Sequence, residues 1–384
     1  MKRNSVVFAI LAALCGLLPN MMSAQVTWIR LIESAQWNPR WLHRAVVHDG
    51  KMWILGGENR LGQLLNDVYS STSGNPWVME TSATTWRPRR GHNAAVHDGK
   101  MWVLGGHDQW SALLGDAWWS TNGKNWTKTV DSTAWEPREG MAAEGYDGKL
   151  WVLGGMTSTW TEDDVWYSAD GASWTCATDS AGWEGRTDLG VAAFNNKLWV
   201  IGGLSLLHPL ADVWNSTNGT DWTLVTDSAD FGRRYSHITL VFDNKLWVIG
   251  GCDQVGVCDD VWYSEDGASW ARATEHTGWG LRQGGAGVAF GNRMWFFGGS
   301  DGGPYADVWY SYGFGGVEET PAAGSAERPG LPTVLRRLPA GVAAFDATGR
   351  EATFPRPGVY FVREEGSRGQ GVEKSSVRKI VIQD

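Results

Sequence analysis

Cysteine is scarce, with 4 in 384 residues, and so are histidine, with 8, and basic charge, with 33 Lys and Arg against 42 Asp and Glu. The resulting net charge of −9 gives no basic face for a phosphate backbone, so a nucleic-acid partner is not expected. No HExxH, paired CxxC, phosphate-binding loop or G-x-G-x-x-G between a strand and a helix occurs, which leaves no signature for a metal or nucleotide cofactor. No stretch of ten or more residues keeps a helical period. Apolar runs are also missing, except for Val6 to Leu18 behind Lys2 and Arg3. That run is too short to span a bilayer and reads as a signal peptide over residues 1–24, cleaved after Ser23-Ala24. A lipoprotein signal ending at Cys15 fits less well, because bulky Leu14 precedes it and the apolar run would be cut in half. No transmembrane segment is expected in the mature chain.

What the chain has instead is 50 Gly and 26 Trp. They are not scattered. A Gly-Gly pair ends an apolar segment at Gly56, Gly105, Gly154, Gly202, Gly250 and Gly298, at steps of 49, 49, 48, 48 and 48 residues. Other positions keep the same register. Three residues earlier stand Trp53, Trp102, Trp151, Trp199, Trp247 and Trp295. Sixteen earlier stand Arg40, Arg89, Arg138, Arg186, Arg234 and Arg282. Nine to eleven later stand Asp67, Asp116, Asp164, Asp212, Asp260 and Asp307. A period of this length signals a repeat architecture.

Each unit holds four short strand signals joined by tight turns such as Asp147-Gly148 and Asp170-Gly171. Four antiparallel strands per unit predict an all-β, six-bladed propeller. The sixth unit stops after DVWYSYG, and the mature chain opens on VTWIRLIESAQW, which matches NWTKTVDSTAW of a later unit. The N-terminal strand is therefore expected to complete the last blade and remove two open sheet edges.

At these residues the pattern resembles the kelch family, the blade type shared with the central domain of galactose oxidase. The R-x-x-H element (Arg40/His43, Arg89/His92, Arg234/His237), the Gly pair and the DVW-aromatic strand carry the resemblance over residues 25–316. It implies that the loops before the first strand and between the second and third strands share one ligand-binding face. The turn SADGASW, repeated as SEDGASW, looks like a shortened Asp-box hairpin and is read as a turn-stabilising device. Residues 317–331 are rich in Pro, Ala, Gly and Glu and read as a linker. Residues 332–384 read as a small β domain. Its DATGR, PGVYFV and RKIVI segments resemble the immunoglobulin-like C-terminal sorting domains of bacterial type IX secretion. That resemblance implies contact with secretion and sorting machinery, and a secreted or outer-surface location in a Gram-negative-type cell. A plain accessory domain is the alternative.

Two kinds of candidate site follow. The six arginines could form a guanidinium ring gripping an anion, or could pair with the six repeat aspartates. Residues outside the register are better candidates for specificity: Trp110 and Trp160 for stacking, with His107 and Asp108 beside them, and Glu58 and Asp301 as further polar groups. Cys252 and Cys258 share one short loop and could close a disulfide, whereas Cys176 reads as a small buried residue. Together these features predict a non-catalytic module for a glycan or an extracellular protein. The alternative is a carbohydrate-active enzyme at the channel mouth, either a sugar-acid epimerase or a sialidase-like hydrolase with Tyr146 near Glu144.

Overall fold

The computed structural model describes residues 25–314 and four strands nearer the C-terminus, Thr333–Leu335, Ala344–Phe345, Gly358–Glu364 and Ser376–Ile382. Among the described residues there is no helix, and six antiparallel sheets repeat around an axis. Blade one comprises Arg44–His48, Lys51–Asn59, Leu64–Ser71 and Val78–Thr81, and blade two Asn93–His97, Lys100–Leu104, Ala117–Ser120 and Thr127–Val130. Blade three is Ala142–Tyr146, Lys149–Leu153, Val165–Ser168 and Thr175–Thr178. Blade four is Gly190–Phe194, Lys197–Leu204, Pro209–Ser216 and Thr223–Thr226. Blade five is Ile238–Phe242, Lys245–Cys252, Val257–Ser264 and Ala271–Thr274. Blade six takes Ala286–Phe290, Arg293–Phe297 and Val308–Ser311, and Ile29–Ile32 pairs antiparallel with its third strand, Ile29 opposite Tyr310.

Hydrophobic burial between blades holds the ring together. Each core draws on two neighbouring sheets: Trp53, Leu55 and Val68 of blade one, for example, pack with Met101, Val103 and Trp118 of blade two. The repeat tryptophans are therefore core. The Asp-box turn couples neighbouring blades. In blade three, Ser168 Oγ accepts from Gly171 N–H (2.8 Å), and Asp170 Oδ1 accepts from Ala172 and Ser173 N–H (2.8 and 2.7 Å). The turn places Gly171, at φ +70°, flat on Trp102 of blade two, where a Cβ would lie 2.1 Å from the indole. Gly123, Gly219 and Gly267 lie in the same way on Trp53, Trp151 and Trp199.

At the end of the channel where the first strands begin, six residues with positive φ form a closed chain of backbone hydrogen bonds. They are Leu42, Gly91, Gly140, Asp188, Ser236 and Gly284. The N–H of each donates to the carbonyl of its counterpart in the preceding blade, at 2.7–3.3 Å, and Leu42 N–H returns to Gly284 O.

The chain divides into two compact units, Met1–Val317 and Glu318–Asp384. In the second, Gly358–Glu364 and Ser376–Ile382 pair antiparallel, with Thr333–Leu335 and Ala344–Phe345 on the outer edges of a four-stranded sheet. The expected signal peptide and the linker lie outside the described residues.

Candidate functional site

The repeat arginines are occupied. None of the six is more than 4 % exposed. Arg89 shows the pattern: Nη1 and Nη2 donate to the two carboxylate oxygens of Asp116 at 2.7 and 2.9 Å, Nη1 also to Gly105 O at 2.8 Å, and Nε to Arg87 O at 3.1 Å. Asp116 Oδ2 accepts a further bond from Trp118 Nε1 at 2.7 Å. Arg40–Asp67, Arg138–Asp164, Arg186–Asp212, Arg234–Asp260 and Arg282–Asp307 repeat the fork within their own blades. Backbone groups of these arginines meanwhile bond to the preceding blade, as Arg138 N–H does to Leu114 O and Gly106 N–H to Arg138 O. The open guanidinium ring is thus replaced by six buried staples. Bidentate pairing satisfies both charges at once, which is what makes their burial tolerable.

The register histidines are also structural. His43 fills the space left by two Gly pairs: a Cβ on Gly57 of its own blade would lie 2.7 Å from it, and one on Gly298 of the preceding blade 3.1 Å. Met141 and Leu189 take the same place in blades three and four. Neither ring nitrogen of His43 has a hydrogen-bond partner, while His92 and His237 meet the backbone of Leu55 and Ile201. Burial, then the nearby arginines, hold all three neutral, His237 with its pKa pushed down to about 3.

Three other sequence readings are corrected. Cys252 and Cys258 are free thiols. Cys252 stands opposite Val257 and Cys258 opposite Gly251, so the pleat sends the two side chains to opposite faces of the hairpin. Cys176 is exposed on the outer strand of blade three rather than buried. The Tyr146 hydroxyl faces the carbonyls of Asn196 (2.6 Å) and Thr217 (3.2 Å) in blade four, so it is not paired with Glu144.

Of the unrepeated candidates, Asp108 is buried and serves its own loop. It accepts from Trp110 and Ala112 N–H and from Arg87 Nη1, at 2.9, 3.1 and 2.9 Å. His107 is half-buried, with Nδ1 enclosed and unpartnered. Glu58 binds Arg90 (2.5 Å), and Asp301 accepts from the Tyr305 hydroxyl (2.8 Å). Trp110 and Trp160 stand out in solvent, 68 % and 64 % exposed, with the Arg87 guanidinium 5.7 Å from the Trp110 ring.

They belong to a larger set that sequence reasoning missed. The loops between second and third strands carry Leu61, Trp110, Trp160, Leu207 and Val255, five or six residues after the first Gly of each pair. Leu61, Leu207 and Val255 are 81–96 % exposed. Five of the six blades thus raise one apolar side chain at the same loop position, and only blade six, with Gly303, does not. Aligning the loops on the Gly pair would have revealed this crown.

The channel is the second unrepeated feature. A cavity of about 400 Å³ runs between the first strands, lined by Arg44, Asn93, Glu144, Asp188 and Thr239 among small apolar residues. Glu144 takes the register position held by Val46, Ala95, Ala192, Leu240 and Val288 in the other blades. The surface it exposes is the channel's own, protein surrounds it, and burial pushes its carboxyl up to about 7. Burial also lifts Asp188 to about 6, against the pull of Arg44 and with a push from Glu139. Among the described residues no cluster of three or more His, Cys, Asp or Glu could hold a metal ion.

No curated protein matches the chain. Residues 21–203 match the family model of the KLHDC2/KLHL20/DRC7 Kelch-repeats domain, from before blade one through the second strand of blade four. The Arg–Asp staples, the Gly pairs and the DVW strands continue unchanged through the two blades beyond the match. Residues 21–203 are therefore similar to a Kelch-repeat domain, and the described residues build a six-bladed β-propeller.

Proposed function

We propose that the propeller is a non-catalytic binding module, secreted or displayed on the cell surface, which holds an extracellular protein or a glycan on its loop face. The observation that carries this reading is the crown: five blades expose Leu61, Trp110, Trp160, Leu207 and Val255 at one loop position. Apolar side chains gathered on one rim favour a ligand surface over chance exposure. The occupied arginines support it too, since the most repeated charges of the molecule serve the fold. In this reading Ile29–Ile32 closes the ring, and the C-terminal unit is an immunoglobulin-like sorting domain that delivers the propeller to the outside. Purified chain applied to a broad glycan array, beside the Trp110→Ala/Trp160→Ala variant, tests the ligand class. Saturable binding lost in the variant supports a lectin-like face. Absence of binding to every glycan rejects the glycan version and leaves protein ligands.

A second reading, a carbohydrate-active enzyme of epimerase or sialidase-like type, is favoured by the channel. Burial raises Glu144 to about 7 and Asp188 to about 6, both within the range useful to a general acid or base, with Arg44 beside Asp188. Turnover of sialic-acid-type or sugar-acid substrates, abolished by Glu144→Gln, would establish it.

A further inference from the structure

The crown is not uniform in charge. In the sector of blades three and four, Trp160 and Leu207 stand beside Leu206 (48 % exposed) and Met156 (38 %). These residues are joined into one surface. Thr161 Oγ1 donates to Gly185 O at 2.9 Å, bringing the Trp160 loop against the segment that leads into blade four. Glu184, next to Gly185, lies 3.7 Å from His208 in the Leu206–Leu207 loop. Glu162 accepts from Thr157 Oγ1 (3.0 Å) at the base of the Trp160 loop. Towards the axis, Glu139 pairs with Met156 through the backbone and adjoins Asp188.

Glu139, Glu162 and Glu184 therefore flank the apolar tips, while Asp188, farther in along the channel, is opposed by Arg44. The basic residues of these loops, Arg138 and Arg186, are consumed by Asp164 and Asp212. Across the face, in blades one and two, Arg87 and Arg90 stand by the tips paired with Asp108 and Glu58, and Arg60 lies near Gly303. An apolar patch whose rim carries Glu139, Glu162 and Glu184, against Arg233 near His208, selects its partner by charge as well as by burial.

We infer that the blade three–four sector docks a basic amphipathic peptide segment of a partner protein, with apolar side chains on Trp160 and Leu207 and lysines or arginines facing Glu139, Glu162 and Glu184. This rests on reading the loop face as the ligand face and narrows it to one sector and one partner chemistry. An acidic or anionic-lipid surface would meet like charge there.

The test is fluorescence anisotropy on the full chain with three labelled peptides of equal length: an amphipathic Lys–Leu peptide, a Glu–Leu peptide of the same pattern, and a Lys–Ser peptide. The Lys–Leu peptide is expected to bind saturably and the other two at least about tenfold more weakly, since the site needs both its anchors and its charge. Trp160→Ala with Leu207→Ala should weaken binding about tenfold or more, as loss of anchor residues does. Glu162→Gln with Glu184→Gln should weaken it and flatten its salt dependence. Val78→Ala, exposed on the outer strand of blade one, should change nothing. Equal binding of the Glu–Leu peptide, or Lys–Leu binding indifferent to both double variants, overturns the inference. So does absence of all peptide binding. If crown-dependent binding to a glycan or another protein persists in that case, the loop-face reading survives; if that is absent as well, both fall.

Discussion

Replacing Arg89 by Ala should destabilise the propeller severely and leave its loop face chemically intact. The substitution removes a fully buried guanidinium with four hydrogen bonds, two of them to Asp116. Asp116 would keep only Trp118 as a side-chain donor. Breaking one side of a buried pair strands the other charge, at a cost of about 3–5 kcal/mol. For a propeller of this size, at about 2.1 cal/mol/K of unfolding entropy per residue, that corresponds to a fall of roughly 5–8 °C in melting temperature. Differential scanning calorimetry and urea unfolding read it directly. The pH dependence carries a second signature. Burial works against the charge on Asp116, but the bonds and charge of Arg89 outweigh it and hold the carboxyl below its ordinary range. Its stabilising share is therefore present above the ordinary carboxylate pKa and lost as pH falls through the lowered value. That loss should vanish in Arg89→Ala. The double change Arg89→Met/Asp116→Leu, which removes both charges, should recover much of the stability. An Arg89→Ala protein that keeps its melting temperature, or that loses only an anionic ligand, would refute the staple argument and restore the ligand ring.

Three further outcomes follow from the same geometry. His237→Met should make the protein less sensitive to acid: between pH 6.5 and about 3 the unfolded chain takes up a proton that folded His237 refuses. That costs about 1.4 kcal/mol of stability per pH unit, visible in urea midpoints. Glu144→Gln should have the opposite pH signature. The ionised carboxyl costs stability as pH rises from 4.5 to about 7, so the variant should match wild type near pH 4.5 and exceed it by about 3 kcal/mol at pH 8. Gly171→Ala should cost roughly 2–4 kcal/mol through its left-handed backbone and the Trp102 ring beneath it, and unchanged thermal unfolding would contradict the turn-docking argument.

The propeller was legible because each blade needs the same things at the same places. Trp53 and its counterparts fill the space between sheets, the Gly pairs make room for His43, Met141 or Leu189, and Arg–Asp forks lock the loops. Such needs write a period into the chain. Readings that required knowing which way a side chain points fared less well. Cys252 and Cys258 are close in sequence, but the pleat separates them. Cys176 lies on an outer strand whose outward face looks no different in sequence from a buried one. Arg89 and Asp116 are 27 residues apart, and only the folded loop shows that they close on each other. The left-handed ring is hidden for another reason. Three of its six places are Leu42, Asp188 and Ser236, and only the fold imposes positive φ on them.

That ring also bears on how the molecule opens. A linear ladder frays from its ends, and its terminal amides exchange with solvent first. The six hydrogen bonds from Leu42 round to Gly284 have no end, because each donor's own carbonyl is the next donor's acceptor. Spreading one pair of blades breaks a single link and leaves the remaining bonds as an arc. The six amides should therefore exchange as one population, at the rate at which neighbouring blades part, making them a built-in clock for opening of the circle.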